Sequence, residues 1–468
     1  MMNKYDLDAT DFVEKFSHIR KKSIALYGAG RLTKNLLLRL TGFNIVCIID
    51  KDTSKVGTLI CGIPVVSLDS YSLNVDCIII NTSELYWNEI YDTLIGLKLP
   101  IYYRDGVLAN RNNSLKSILQ EYKKVFNAYK ADRIIYLIEK QLSNKDLYNI
   151  PTEIWGYCIY GPVVYTFFDW LCKNAFDDGL EQYLFLARDG YLLSQEYSVY
   201  LEKRGLDDDG IVYFPASRRL TCVSAIDSEE SFDRVASYPF QGPFSDYLKN
   251  RFNVSPVDLK NDSEVIVLPN DWSKVKEVLF DYKNLICSEI KEEKAEYLQY
   301  ISSLHIKRRV GIIDFGFYGT LSFYLSKLLC DSELSTYYFN GDIASDNPYY
   351  DDSIKVCYQQ LTDKYAMRSC FRRYQNQNEA VFTAPYGMME RIVNQTIIYQ
   401  QERTKRSFVI NTEIDNGIKK FISDMNGLVF DCTEELRMSV DRLFGELNKL
   451  LRLQNMQSLH YIDTWSGL

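Results

Sequence analysis

Histidine is scarce in this chain: 468 residues contain three, His18, His305 and His460. The eleven cysteines, among them Cys47, Cys61, Cys77, Cys158, Cys172 and Cys222, stand singly, with no C-x-x-C pair and no neighbouring histidine. That absence argues against a zinc site and a dithiol redox motif, and the cysteines read as reduced, mostly buried thiols of a cytosolic protein. There is no basic excess either. Acidic side chains outnumber basic ones 62 to 54, for a net charge of -8, so nucleic acid is not an expected partner. Long apolar runs are missing as well. The most apolar stretch, Ile154 to Phe176, is interrupted by Gly161-Pro162, Asp169 and Lys173. A span needs about 20 apolar residues, so no membrane span is expected. The opening "MMNKYDLDATDFVEKF" is polar and charged, unlike a signal peptide, and the expected location is cytoplasmic. No repeat of 20–50 residues and no low-complexity tract occurs, which argues against a solenoid.

What is present is ordinary globular composition, 46% hydrophobic and 25% charged, in a chain too long for one hydrophobic core. Between Ser23 and Asp105, short apolar runs ("SIALYGAG", "NIVCIID", "VDCIIINTS", "LPIYYRDG") alternate with helical stretches such as "RLTKNLLLRLTG". That alternation predicts a parallel, doubly wound α/β sheet. Residues 1–110 are assigned to a small Rossmann-like domain and 111–150 to a helical connector. Residues 151–365 form a second α/β domain, with strands at Tyr183–Ala187, "GIVYFPAS", "VGIID" and "STYYFNGDI". Residues 366–468 lose the strand pattern and are expected to be a helical C-terminal region.

Two glycine turns carry the candidate chemistry. In "IALYGAGRLTKNLL", Gly28 and Gly30 follow a strand and precede a helix, the context of a nucleotide-binding turn, and Asp50 ends the next strand where it would accept from ribose hydroxyls. Thr33 occupies the place of the third glycine, so an NAD site is not expected. In the second domain the strand "VGIID" ends in Asp314, followed by Gly316, Gly319 and Thr320, whose backbone and hydroxyl would cradle a phosphate. "YLFLARDGYLL" has the same form, with Arg188, Asp189 and Gly190 at its corner. In one parallel sheet Asp189 and Asp314 would face a common crevice, hold Mg2+ between them or divide the roles of base and orienting group. Arg188, Arg218 and Arg219 would neutralise phosphate. The plainer reading makes Asp189 and Ser217 helix caps and Arg218-Arg219 and Arg372-Arg373 solvated surface.

Two resemblances bear on these motifs. "IIDKDTSKVGTLICGIPVV" resembles part of the small Rossmann-like domain of bacterial sugar acetyltransferases and related polysaccharide-assembly proteins, which implies contact with a nucleotide-sugar. "GPVVYTFFDWL", "LFLARDGYLL", "YFPASRRL", "GIIDFGFYGTLSFYL" and "EAVFTAPYG", in that order over Trp155–Gly387, resemble the C-terminal region of predicted hydrolases of the HAD superfamily found in capsule and O-antigen assembly. That likeness implies a HAD-like α/β domain. The D-x-D-x-[TV] pattern of HAD phosphatases does not follow any strand here: Ala187 and Tyr191 stand where a second carboxylate would be. Three functions follow as expectations. The first is a polysaccharide-biosynthesis enzyme that binds a nucleotide-sugar or sugar phosphate and transfers a glycosyl or phosphoryl group. The second is a HAD-like phosphohydrolase. The third is a non-catalytic nucleotide-sugar sensor that contacts a polysaccharide-assembly complex through its 36 tyrosines and 24 phenylalanines.

Overall fold

The computed structural model describes residues 12–38, 40–69, 73–82, 86–104, 106, 108–109, 115–147, 149–255, 265–317, 319–341, 349, 353–358, 369–400, 405–451 and 453. His460 and Tyr318 lie outside them. The chain divides into two compact units, 1–121 with 373–377 and 448–452, and 122–372 with 378–447 and 453–468.

In the first unit β1 (Ser23–Tyr27), α1 (Arg31–Leu37), β2 (Asn44–Ile49), β3 (Leu59–Ile60), β4 (Ile63–Val66), β5 (Cys77–Ile80), α2 (Trp87–Leu94) and β6 (Ile101–Tyr103) follow one another. The sheet order is β3-β4-β2-β1-β5-β6, parallel except for the β3–β4 hairpin. Every residue of β5 is buried, as in a parallel sheet covered on both faces. The stretch expected as a loop between the second and third parallel strands contributes β3 and β4. Its turn at Cys61-Gly62 uses two residues with positive φ, the backbone sign that two-residue hairpins favour.

In the second unit, the helix Asp132–Leu142 is followed by a helical run from Thr152 to Asp177, in which a π-helical stretch, Gly156–Tyr160, precedes α3 (Gly161–Asp177). Pro162 is therefore accommodated at the first turn of α3, where its missing N–H costs little. There follow β7 (Gln182–Leu186), α4 (Gly190–Arg204), β8 (Ile211–Phe214), α5 (Arg218–Ser224), β9 (Phe240–Pro243), β10 (Val265–Leu268), α6 (Lys283–Ser303), β11 (Arg309–Phe317), α7 (Thr320–Leu328), β12 (Glu333–Gly341), β13 (Ile354–Val356), β14 (Met389–Val393), β15 (Thr396–Tyr399), α8 (Lys405–Met425) and α9 (Glu434–Leu450). Five of these strands form a wholly parallel sheet in the order β13-β12-β11-β7-β8. By chain order within the sheet this is 2-1-3-4-5, a doubly wound arrangement whose topological switch point lies between β7 and β11.

Alternation along the strands divides the core. Leu184, Leu186, Val310 and Ile312 pack with Tyr247, Tyr297 and Ile286 of the insertion between β8 and β11. On the opposite face Phe315 stacks on Phe339 at 4.9 Å, and Phe339 on Phe167 of α3 at 3.7 Å. The C-terminal residues are not purely helical, since β14 and β15 pair antiparallel. Helix α8 belongs to the second unit through close backbone contact. A β-carbon at Gly417 would fall 2.0 Å from the Glu153 carbonyl oxygen, and one at Gly156 would fall 2.4 Å from that of Ile414. Among the described residues, no helix is long and apolar enough to cross a membrane.

Candidate functional site

The three strands β11, β7 and β8 are neighbours, with Ile313 opposite Phe185 and Leu186 opposite Phe214. Their carboxyl ends therefore bring Asp314, the Arg188-Asp189 corner and the start of α5 at Arg218 to one edge, on either side of the switch point. Gly190 makes the corner possible. A β-carbon there would lie 2.6 Å from the Phe185 carbonyl carbon, so only glycine lets α4 start this close to the strand.

Asp189 precedes α4 but does not cap it, because its side chain accepts no hydrogen bond from the first turn. Among the described residues its carboxylate has no hydrogen-bond partner at all. Ser217, by contrast, is a true cap of α5, its hydroxyl accepting from Leu220 N at 3.2 Å. Burial pushes the Asp189 carboxyl well above the usual range, and the Glu379 and Asp314 carboxylates push it further, against the pull of Arg188. Asp314 is pushed up to about 6, chiefly by burial, although the N–H groups of Phe315 and Gly316 and the Arg218 guanidinium favour its ionised form. Burial also lowers Arg188, while Asp189, Tyr213 and Glu379 hold its charge. The site thus sets Asp189, Asp314 and Arg188, all partly withdrawn from solvent, beside the exposed Glu379 and Arg218, a setting in which perturbed protonation accompanies function.

Several sequence expectations need correction. The strand bearing Asp314 continues to Phe317, so Gly316 lies within the ladder opposite Asn340 rather than in a phosphate-cradling turn. Its φ of +86°, and the 2.2 Å approach of a β-carbon to the Asn340 carbonyl oxygen, explain why glycine is needed. Gly319, at φ +74°, precedes α7, and Thr320 opens that helix. Arg219 is held elsewhere. Its guanidinium makes a paired contact with Glu293 at 2.6 and 2.7 Å and donates to the Glu390 carbonyl, which withdraws it from any phosphate site. Arg218 is exposed and has no hydrogen bond or ion pair among the described residues.

The first unit differs from its expectation at Asp50. That carboxylate accepts from Ala29 N at 2.6 Å and from Asp52 N at 2.8 Å, with Lys55 at 3.6 Å. One oxygen braces the glycine turn and the other holds the backbone just after Asp50, so each is already engaged by the main chain. Thr33, in the place of the third glycine, donates to the Gly28 carbonyl and accepts from Asn81 Nδ2 at 2.8 Å. Gly28 sits at φ +109°, and Gly30 faces open space.

Glu379 and Tyr213 were not foreseen as site residues. Glu379 opens "EAVFTAPYG", the last of the stretches that carry the resemblance, without standing at a strand end or glycine turn, and Tyr213 reads as one more strand aromatic. Only the folded chain places their charges and hydroxyls near Arg188 and Asp189. No protein-family model matches the chain, and no curated protein matches it.

Metal binding is constrained by the donors. Among the described residues, the one trio with ligand atoms within 4.8 Å of one another is exposed Asp207, Asp208 and Asp209; Asp189, Asp314 and Glu379 stand farther apart. A magnesium ion at the switch point would take one oxygen each from Asp189 and Asp314. Waters and substrate oxygens would complete its octahedron, the usual pattern for this cation. Mutual repulsion among the carboxylates fits such a counter-ion.

Proposed function

We propose that the second unit is an enzyme acting on a phosphorylated sugar, either a sugar phosphate or a nucleotide-sugar, and transferring its glycosyl or phosphoryl group to an acceptor hydroxyl. The observation that carries this reading is the state of Asp189: a carboxylate with no hydrogen bond among the described residues and no capping role, beside Arg188 at the switch point of a parallel sheet. A structural aspartate has its oxygens occupied, as Asp50 has; an unoccupied one in poorly solvated surroundings is suited to meet substrate. With its proton affinity raised, Asp189 is suited to accept a proton from substrate. In glycosyl transfer it takes the acceptor hydroxyl's proton as that oxygen bonds to the sugar carbon. The phosphate departs with the electron pair of the broken bond and is neutralised by Arg188 and Arg218. In the alternative division of roles Asp189 and Asp314 would together hold Mg2+, which would add Lewis-acid charge to the phosphate, and Asp189 would then be a ligand in place of the base. The resemblance to capsule and O-antigen proteins supports a role in surface-polysaccharide assembly.

The test is turnover of hexose 1-phosphates and nucleotide-sugars, with and without glycan acceptors, followed by phosphorus NMR. Asp189→Asn should lower the rate by about 10²–10⁴-fold, the usual worth of a positioned acid–base group. Full activity in that variant would refute the assignment. Release of inorganic phosphate without any acceptor would make water the acceptor and the protein a phosphohydrolase.

A further inference from the structure

Five aromatic rings gather beside the Arg188-Asp189 corner. Tyr191 follows Asp189 by two residues, Tyr213 pairs across β8 with Phe185 of β7, Tyr399 ends β15, and Tyr386 and Phe408 complete the group. Tyr386 and Tyr399 are 4.2 Å apart, Tyr191 and Tyr213 5.5 Å, Tyr191 and Tyr386 5.8 Å, and Tyr191 and Phe408 6.3 Å. All five are partly exposed. The Tyr213 hydroxyl is turned inward, next to that of Tyr386 and within electrostatic reach of Arg188 and Asp189. On its other side the Tyr213 ring lines a recess of about 510 Å³ with Ser194, Gln195, Ser198, Asp208 and Lys419.

Tyr213 therefore joins two surfaces, the charged corner and a pocket of aromatic and hydroxyl-bonding groups. We infer that the ring cluster and its recess form the subsite for the hexose ring of the substrate, an inference that rests on the phosphate-handling reading above. The geometry selects a sugar over a nucleobase. A flat base is sandwiched between parallel faces separated by two van der Waals contacts, about 7 Å. Here the rings meet at 83°, 78° and 57°, and the nearest pair already touches. A pyranose needs only one ring face for its C–H patch, with amide, hydroxyl, carboxylate and ammonium groups for its hydroxyls. The recess wall supplies those groups.

Calorimetric titration separates the two ideas. The probes are inorganic phosphate, pyrophosphate, UDP, UDP-glucose, and the 1-phosphates of glucose, galactose, mannose and N-acetylglucosamine. At least one hexose 1-phosphate should bind about tenfold or more tighter than inorganic phosphate, a difference readily read as affinity, whereas UDP should bind no tighter than pyrophosphate. Tyr386→Ala should bring the hexose gain down to about threefold or less. Tyr386→Phe should keep it, and unchanged phosphate affinity in both variants shows an intact site. If phosphate binds but no hexose adds affinity, or if the gain comes from uridine and is lost in Tyr386→Ala, the subsite assignment is overturned while the phosphate reading stands. If phosphate itself does not bind at millimolar concentration, both fall together.

Discussion

The glycine turn of the first unit and the switch-point corner of the second have nearly the same local sequence grammar: an apolar strand, a glycine, a helix, and an aspartate at a strand end. Their aspartates end in opposite states. Asp50 has each oxygen bonded to a backbone N–H, and Asp189 has neither bonded among the described residues. The difference teaches that an acidic residue at a strand end is a candidate only until its hydrogen bonds are counted. Where the backbone has claimed both oxygens the residue maintains the fold; where nothing has, solvent or substrate must serve. The arginines repeat the contrast at consecutive positions: Arg219 is paired with Glu293, and Arg218 is not paired among the described residues.

The largest effect expected from this contrast is at that arginine pair. Arg219→Ala leaves Glu293, a nearly buried carboxylate, without its partner, and should cost about 3 kcal/mol or more of folding stability. Arg218→Ala should stay within about 0.5 kcal/mol, as exposed substitutions do, while weakening phosphate affinity. Urea unfolding of both variants decides the point; equal losses would abolish the distinction.

A second comparison sets Asp50→Asn against Asp189→Asn and Asp314→Asn. The first replaces an acceptor with an amide that faces a backbone N–H, for a loss of about 2 kcal/mol. Asp189→Asn should stabilise the protein at pH 7, and Asp314→Asn should do so by less, because it also gives up part of the acceptor for the Phe315 and Gly316 N–H groups. A carboxyl raised in the folded state holds its proton more tightly there than in the unfolded chain. Stability therefore falls as pH climbs from about 4 and levels off once the folded form has ionised. For Asp314, raised to about 6, the window runs from about pH 4 to pH 6 and is worth on the order of 2–3 kcal/mol. Asp189 acts in the same direction. The gain in either variant should shrink on acidification toward pH 4, and melting curves from pH 4 to 8 would show whether it does.

The smallest effect is at Gly30, where a methyl group meets nothing within 4 Å and φ is ordinary. Gly30→Ala should change stability by less than about 0.5 kcal/mol. Gly28→Ala should cost about 1–3 kcal/mol, because φ is +109° and the new carbon would lie 2.5 Å from Thr82 Cγ2. Equal tolerance at the two positions would mean that the turn is not braced as described.

Local pattern by itself determined the α/β class, the parallel strands with their intervening helices, and the corner residues Arg188, Asp189 and Asp314. Strand burial and glycine geometry are written in neighbouring residues, so a short window suffices to read them. The same window misjudged where β11 ends, because a glycine inside a ladder and a glycine in a turn look alike until the partner strand is present. It also missed β14 and β15, which are only five and four residues long, and Glu379, which stands at no strand end or glycine turn. Only the tertiary structure decided which aspartate was braced and which was left open, and which arginine found a carboxylate. Those outcomes depend on groups distant in the chain, Glu293 for Arg219 and Ala29 for Asp50, and hydrogen bonds between such groups exist only once folding has brought them within about 3 Å.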